Sequence, residues 1–118
     1  MKKAYYLKTC STCIRILKTL NLPSEYILQD IKTDRITVKQ LEQMKDLANT
    51  YEALFSKKAK LYKEMGLKSQ TLKAQDYKYY ILEHYTFLKR PVIISGETIF
   101  IGNSKSVVQA AKEHINEQ

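Results

Sequence analysis

Two cysteines three positions apart, in Cys10-Ser11-Thr12-Cys13, are the residues of this chain best suited to chemistry. Such a pair serves as a dithiol that cycles with a disulfide, as half of a zinc site, or simply as two small buried side chains. A structural zinc site needs four ligands, and beyond this pair the sequence offers only two histidines, His84 and His114, both far downstream. Zinc is therefore disfavoured. Thiol–disulfide exchange is the leading reading, with inert buried thiols as the bland alternative.

Position sharpens that reading. The run Ala4-Tyr5-Tyr6-Leu7 suits a short strand buried on both faces, and from Ser11 to Leu20 the apolar residues Cys13, Ile14, Ile16, Leu17 and Leu20 recur at helical spacing. Cys10 thus falls between a strand and a helix, where its sulfur would face the unpaired N–H groups of the first turn and be favoured as thiolate. Lys8 and Arg90 are cations able to lower its pKa further, and Arg15, two residues past Cys13, is another candidate to hold the anion. Ser11 and Thr12 complete the loop that a substrate would meet. Cys13, one turn further in, would be near enough to Cys10 to displace an adduct from it. His84 invites a general-base role, but at a helix end capping or packing is reason enough for it.

The elements around the pair follow from patterning. Asn21-Leu22-Pro23 closes the first helix, and Ser24 to Gln29, with Tyr26, Ile27 and Leu28, reads as a second strand, parallel to the first by a right-handed crossover. Thr37 and Gln40 form a capping-box pattern that opens a helix along Val38, Leu41, Met44 and Ala48. A second helical stretch is expected from about Tyr51 to Met65, ending at Gly66, and a third from about Lys73 to Tyr85 with Tyr77, Tyr80, Ile81 and His84 on one side. Val92 to Ile94 and Thr98 to Ile101 around Ser95-Gly96-Glu97 read as a hairpin, and Ser104 caps a last helix carrying Val107, Val108, Ala111 and Ile115. The order is βαβ, three helices, ββα.

Composition bounds the rest. A chain of 118 residues, 44% hydrophobic and 27% charged with three glycines and two prolines, suits one compact domain over 1–118 and excludes a disordered tract. No apolar run approaches the ~18 residues of a membrane span, so no membrane association is expected, and a cytoplasmic location is. The formal charge of +8 is concentrated between residues 57 and 78, where seven lysines face only Glu64 and Asp76. No nucleic-acid motif accompanies them, so a solvated helix face is expected there and direct nucleic-acid binding is not.

Four separated segments carry a resemblance. Cys10-Ser11-Thr12-Cys13, the stretch from Ser56 to Gly66, the stretch from Glu83 to Ile94 and Ile101-Gly102 resemble the family that joins glutaredoxin-dependent arsenate reductases with Spx-type transcriptional regulators, over about Ala4 to Ala111. The resemblance implies an α/β, thioredoxin-like domain with a mixed four-stranded sheet, a helical insertion at about 37–86 after the second strand, and a cis Arg90-Pro91 bond facing the cysteines. In the reductases the nucleophile matches Cys10 and one oxyanion-binding arginine matches Arg90. The other two such arginines fall on Ser56 and Asn103, which bring no positive charge, so the resemblance implies thiol chemistry without a full oxyanion clamp. In the regulators a cysteine pair spaced as Cys10 and Cys13 is a redox switch, a serine matches Ser56, and the partner is the RNA polymerase α subunit.

The expectation drawn from residues and resemblance together is a thiol–disulfide redox protein of the arsenate reductase family. Cys10 is the nucleophile, Cys13 the resolving thiol and Arg90 the stabilising cation. Lys8, Ser11, Thr12, Arg15, Ser56, Pro91 and Asn103 are the substrate-binding candidates. No metal or organic cofactor is required, and glutathione, glutaredoxin or thioredoxin would serve as reductant. The alternative is a redox-sensing regulator.

Overall fold

The computed structural model describes residues 1–117. In chain order its elements are β1 (Lys2–Tyr6), α1 (Ser11–Leu20), β2 (Ile27–Asp30), α2 (Val38–Ala48), α3 (Lys60–Glu64), α4 (Ala74–Glu83), β3 (Val92–Ser95), β4 (Thr98–Ile101) and α5 (Lys105–Asn116), with short 3-10 turns at Glu52–Leu54, Leu67–Ser69 and Tyr85–Phe87. The chain divides into two compact units, one formed by Met1–Arg35 together with the chain from Arg90 onward, the other by Ile36–Lys89.

The first unit is a mixed sheet in the order β2-β1-β3-β4. β1 pairs parallel with β2 and antiparallel with β3, and β3 pairs antiparallel with β4. The strand order agrees with the thioredoxin-like arrangement that the resemblance implies. β1 and β3 are the inner strands: Ala4 and Tyr5, which point to opposite faces, are both fully buried, as is every residue of β3. On one face Ala4 and Ile93 meet Ile16 and Leu20 of α1 and Ala111 and Ile115 of α5, with Tyr26 beside them. Each of these larger side chains contributes about 1.5–3 kcal/mol by leaving water. The four-residue spacing of Ile16 and Leu20, and of Ala111 and Ile115, is what turns one stripe of each helix inward.

Local signals set the boundaries. α1 stops at Asn21, whose left-handed φ of 48° lets its N–H reach the Leu17 carbonyl, two residues before Pro23. The second strand starts later than its apolar run suggests, at Ile27, because Tyr26 closes a turn onto the Pro23 carbonyl and is buried in the helix-covered core. As an edge strand, β2 leaves Ile27 and Leu28 exposed. The hairpin turns at Gly96 (φ 62°), and Ser104 caps α5 by accepting the Val107 N–H.

The second unit is helical. Thr37 and Gln40 make the full reciprocal capping box at the start of α2. The single helix expected over Tyr51–Met65 is not formed: a 3-10 turn at Glu52–Leu54 and the short α3 replace it. The break has a long-range cause, since Phe55 bridges to Leu88, the Ser56 N–H bonds to the Phe87 carbonyl and the Lys89 N–H to the Leu54 carbonyl. Phe55 then stacks on Phe87 at 5.0 Å and meets Tyr77 edge-on at 4.9 Å, which anchors the core of this unit. α4 also ends before its expected boundary, at Glu83, so His84 lies outside it and is exposed, whereas Tyr77 and Ile81 are buried.

Candidate functional site

Cys10 is the N-cap residue of α1, in extended conformation with its own N–H bonded to the Leu7 carbonyl. β1 delivers the chain to this point, and the Leu7 bond folds Leu7-Lys8-Thr9-Cys10 into a tight turn that aims the thiol at the first turn of the helix. A further group secures the turn: Asp30, at the end of β2, accepts the Lys8 N–H at 3.1 Å and the Thr33 hydroxyl at 3.0 Å. The Asp30 carboxyl is held below its usual range, chiefly by the Lys8 N–H.

The two sulfurs differ in surroundings. Cys10 is half-buried and Cys13 buried, and both are free thiols. Burial raises the Cys10 pKa, but the backbone N–H and thiol of Cys13, the Thr12 N–H and the charge of Arg90 together outweigh it, and the Cys10 thiol is shifted below its ordinary value. Its sulfur makes no capping hydrogen bond of ordinary geometry, so these N–H groups act on the thiolate mainly through their positive ends. Cys13 goes the other way, to about 11, first because it is buried and then because the Cys10 charge and hydrogen bond oppose its ionisation. A backbone hydrogen bond with Leu7 and the charge of Arg90 offset only part of this. One thiol is thus biased towards its thiolate and its neighbour towards the protonated form.

Arg90 and Pro91 immediately precede β3, the antiparallel neighbour of β1. The Arg90-Pro91 bond is cis, as the resemblance implies, and the Pro91 carbonyl accepts the Gly102 N–H, which ties the end of β4 and the exposed Asn103 after it to this point. On the outer side of α1, Lys8, Thr9, Ser11, Ile14, Arg15 and Lys18 line an open groove of ≈ 440 Å³. Of the residues expected to act together, the structure joins Cys10, Cys13, Thr12 and Arg90 around the sulfurs and Lys8, Ser11 and Arg15 in the groove. Ser56 belongs to the second unit, half-buried before α3. Asp30 and Lys18 were not anticipated. The parallel register that sets Asp30 opposite Tyr6 is the signal that would have pointed to Asp30.

Three of the seven lysines between residues 57 and 78 form ion pairs: Lys57 with Glu52 at 2.8 Å, Lys60 with Glu64 and Lys78 with Glu42, both at 3.7 Å. Among the described residues, no helix is long and apolar enough to cross a membrane.

Comparison with known proteins gives a consistent result. The model of the ArsC family matches residues 5–111. Among solved structures, an ArsC family related protein from Bacteroides fragilis is 22% identical with a TM-score of 0.75, over 93% of this chain and 96% of that one. The arsenate reductase from Vibrio cholerae is 19% identical with a TM-score of 0.73, over 98% and 97% of the two chains. An arsenate reductase related protein from Brucella melitensis is 18% identical with a TM-score of 0.69, over 92% of each. At such identities the likeness is one of fold. No curated protein sequence matches closely enough to count as a relative.

Proposed function

The chain belongs to the ArsC family, and from that premise we propose that it is a thiol–disulfide reductase working through Cys10 and Cys13. The observation that carries the reading is the opposite shift of the two thiols at one strand–helix junction, Cys10 lowered and half-exposed, Cys13 raised and buried.

The steps balance without any metal or organic cofactor. The Cys10 thiolate attacks one sulfur of a disulfide, a Cys10–substrate bond forms, and the other sulfur leaves as a thiolate. That step removes the negative charge of Cys10, which was one of the causes holding the proton on Cys13. Cys13 then gives its proton to the thiolate released in the first step, attacks the Cys10 sulfur and expels the second substrate thiolate. An external thiol donor, glutathione, glutaredoxin or thioredoxin, returns the protein disulfide to the dithiol, and the cytoplasm is where such donors keep it reduced. Arg90 stabilises the anionic sulfur. Ser56 and Asn103 bring no charge where the family's oxyanion-binding arginines stand, so arsenate is a poor substrate in this reading.

The test is mass spectrometry of alkylated thiols across a glutathione redox series. Cys10 reacts first, with a pKa below the ordinary thiol value of 9.0, and an internal disulfide with Cys13 appears at the oxidising end. An ordinary Cys10 titration with no internal disulfide overturns the proposal. Turnover with a thiol donor separates the reductase from the redox-sensing regulator, which needs only the disulfide and a change in binding to the polymerase α subunit.

A further inference from the structure

The charges on α1 are arranged in a way that the exchange chemistry at Cys10 does not require. The helix contains no acidic residue, although its N-terminal turn is where one would stabilise it. Arg15 and Lys18 stand three residues apart on one face, an arrangement of like charges that costs helix stability. Both line the same groove, together with the cation of Lys8 and the apolar side chain of Ile14. Lys8 lies near the Asp30 carboxylate, and Lys18 also complements the C-terminal end of the helix. Arg15 has neither explanation, and no ion pair among the described residues engages Arg15 or Lys18.

A groove of ≈ 440 Å³ is of the size that takes a small molecule, and its lining includes Thr9 and Ser11, the residues on either side of Cys10 in the chain. We infer that this groove is a binding site for the non-reacting part of a low-molecular-weight disulfide bearing carboxylates, with Arg15 and Lys18 as its specificity-determining residues. The inference rests on the proposed thiol–disulfide chemistry and adds the charge class of its substrate. The carboxylates replace the missing acidic partners of Arg15 and Lys18, the Ile14 side chain takes the carbon chain, and the substrate sulfur is left at Cys10. The exchange is the one written above: the Cys10–substrate bond forms, the substrate S–S bond breaks, and the released half departs as a carboxylate-bearing thiolate.

The experiment compares three disulfides of similar length and different charge: 3,3′-dithiodipropionate, 2-hydroxyethyl disulfide and cystamine. Each is reacted with the reduced protein and with the double variant Arg15→Glu/Lys18→Glu. The ratio of the two rates for one disulfide cancels the reactivity of its own leaving thiol, and the neutral disulfide reports any change in the Cys10 thiolate itself. The expected result is a loss of about tenfold for the dianionic disulfide, little change for the neutral one and a gain for the dicationic one. A control, Lys3→Glu/Lys112→Glu, makes the same change in net charge outside the groove and the candidate site, and leaves all three rates unchanged at physiological salt, where remote charges are screened. Equal effects on all three disulfides, or an equal effect of the control, overturn the inference while leaving the exchange reading intact. No reaction of the unmodified protein with any disulfide removes both.

A second readout does not depend on exchange. The non-reducible diacid 3,3′-thiodipropionate, titrated into Cys10→Ser, shifts the backbone amide resonances of Ser11, Ile14, Arg15 and Lys18. Shifts elsewhere, or none, count against the groove.

Discussion

The first turns of α1 and α2 begin from the same backbone and end in opposite uses. Cys10 and Thr37 are both N-cap residues in extended conformation, with φ of −95° and −88°. At α2 the threonine oxygen and the Gln40 amide satisfy orphan N–H groups in both directions, which closes the helix end. At α1 the cap is a sulfur that makes no such bond, so the N–H groups of Thr12 and Cys13 remain directed at the place where negative charge can form. One helix uses its N-terminus for stability. The other leaves it incomplete and uses it to ionise a thiol.

The largest effect is expected from giving α1 the ordinary cap. Cys10→Ser supplies a favoured N-cap oxygen, so the variant gains up to about 1 kcal/mol in urea unfolding at neutral pH while disulfide formation and thiol turnover are lost altogether. If the variant is clearly destabilised, the N–H groups at Cys10 are satisfied in another way and the contrast with α2 fails.

The next effect concerns Cys13 and pH. Its folded pKa lies near 11 against an ordinary value of 9.0, so the folded protein keeps a proton that the unfolded chain loses. That stabilisation is complete below pH 9 and is lost as pH rises towards 11. In the reduced protein it amounts to about 3 kcal/mol. The difference in alkaline unfolding between the reduced protein and Cys13→Ala isolates it from the lysines and tyrosines that titrate in the same range. Parallel curves break the assignment of Cys13 as the protonated partner.

The smallest effect tests the other helix. Thr37→Ala costs about 1 kcal/mol in urea unfolding and leaves the alkylation rate of Cys10 unchanged. A slower Cys10 would mean that the two helix starts are coupled and do not simply differ.

Much of this contrast was legible in the sequence. The capping box at Thr37, the Ser104 cap and the strand–turn–helix setting of Cys10 are local patterns, and each is found where its residues stand. What local pattern did not reveal is due to pairing across distance. The apolar spacing of Tyr51–Met65 is helical, yet Leu54, Phe55 and Ser56 are drawn into backbone bonds with Phe87, Leu88 and Lys89, more than thirty residues on. Asp30 acts on Lys8 across 22 positions through strand pairing. Lys18 reads as an ordinary residue of a last helical turn until the groove groups it with Lys8 and Arg15.

The division of the chain also orders events during synthesis. The second unit is continuous from Ile36 to Lys89, whereas the first is assembled from the two ends of the chain. β1 waits for β3, because Ala4 pairs with Ile93, and the Arg90 that supports the Cys10 anion directly precedes this late strand. On the ribosome the cysteine pair therefore emerges before its arginine and before β3, the inner partner strand of β1. Closure of so long a loop is entropically costly and tends to slow folding. The nascent chain passes through an interval in which both thiols are present and neither has the environment that sets them apart.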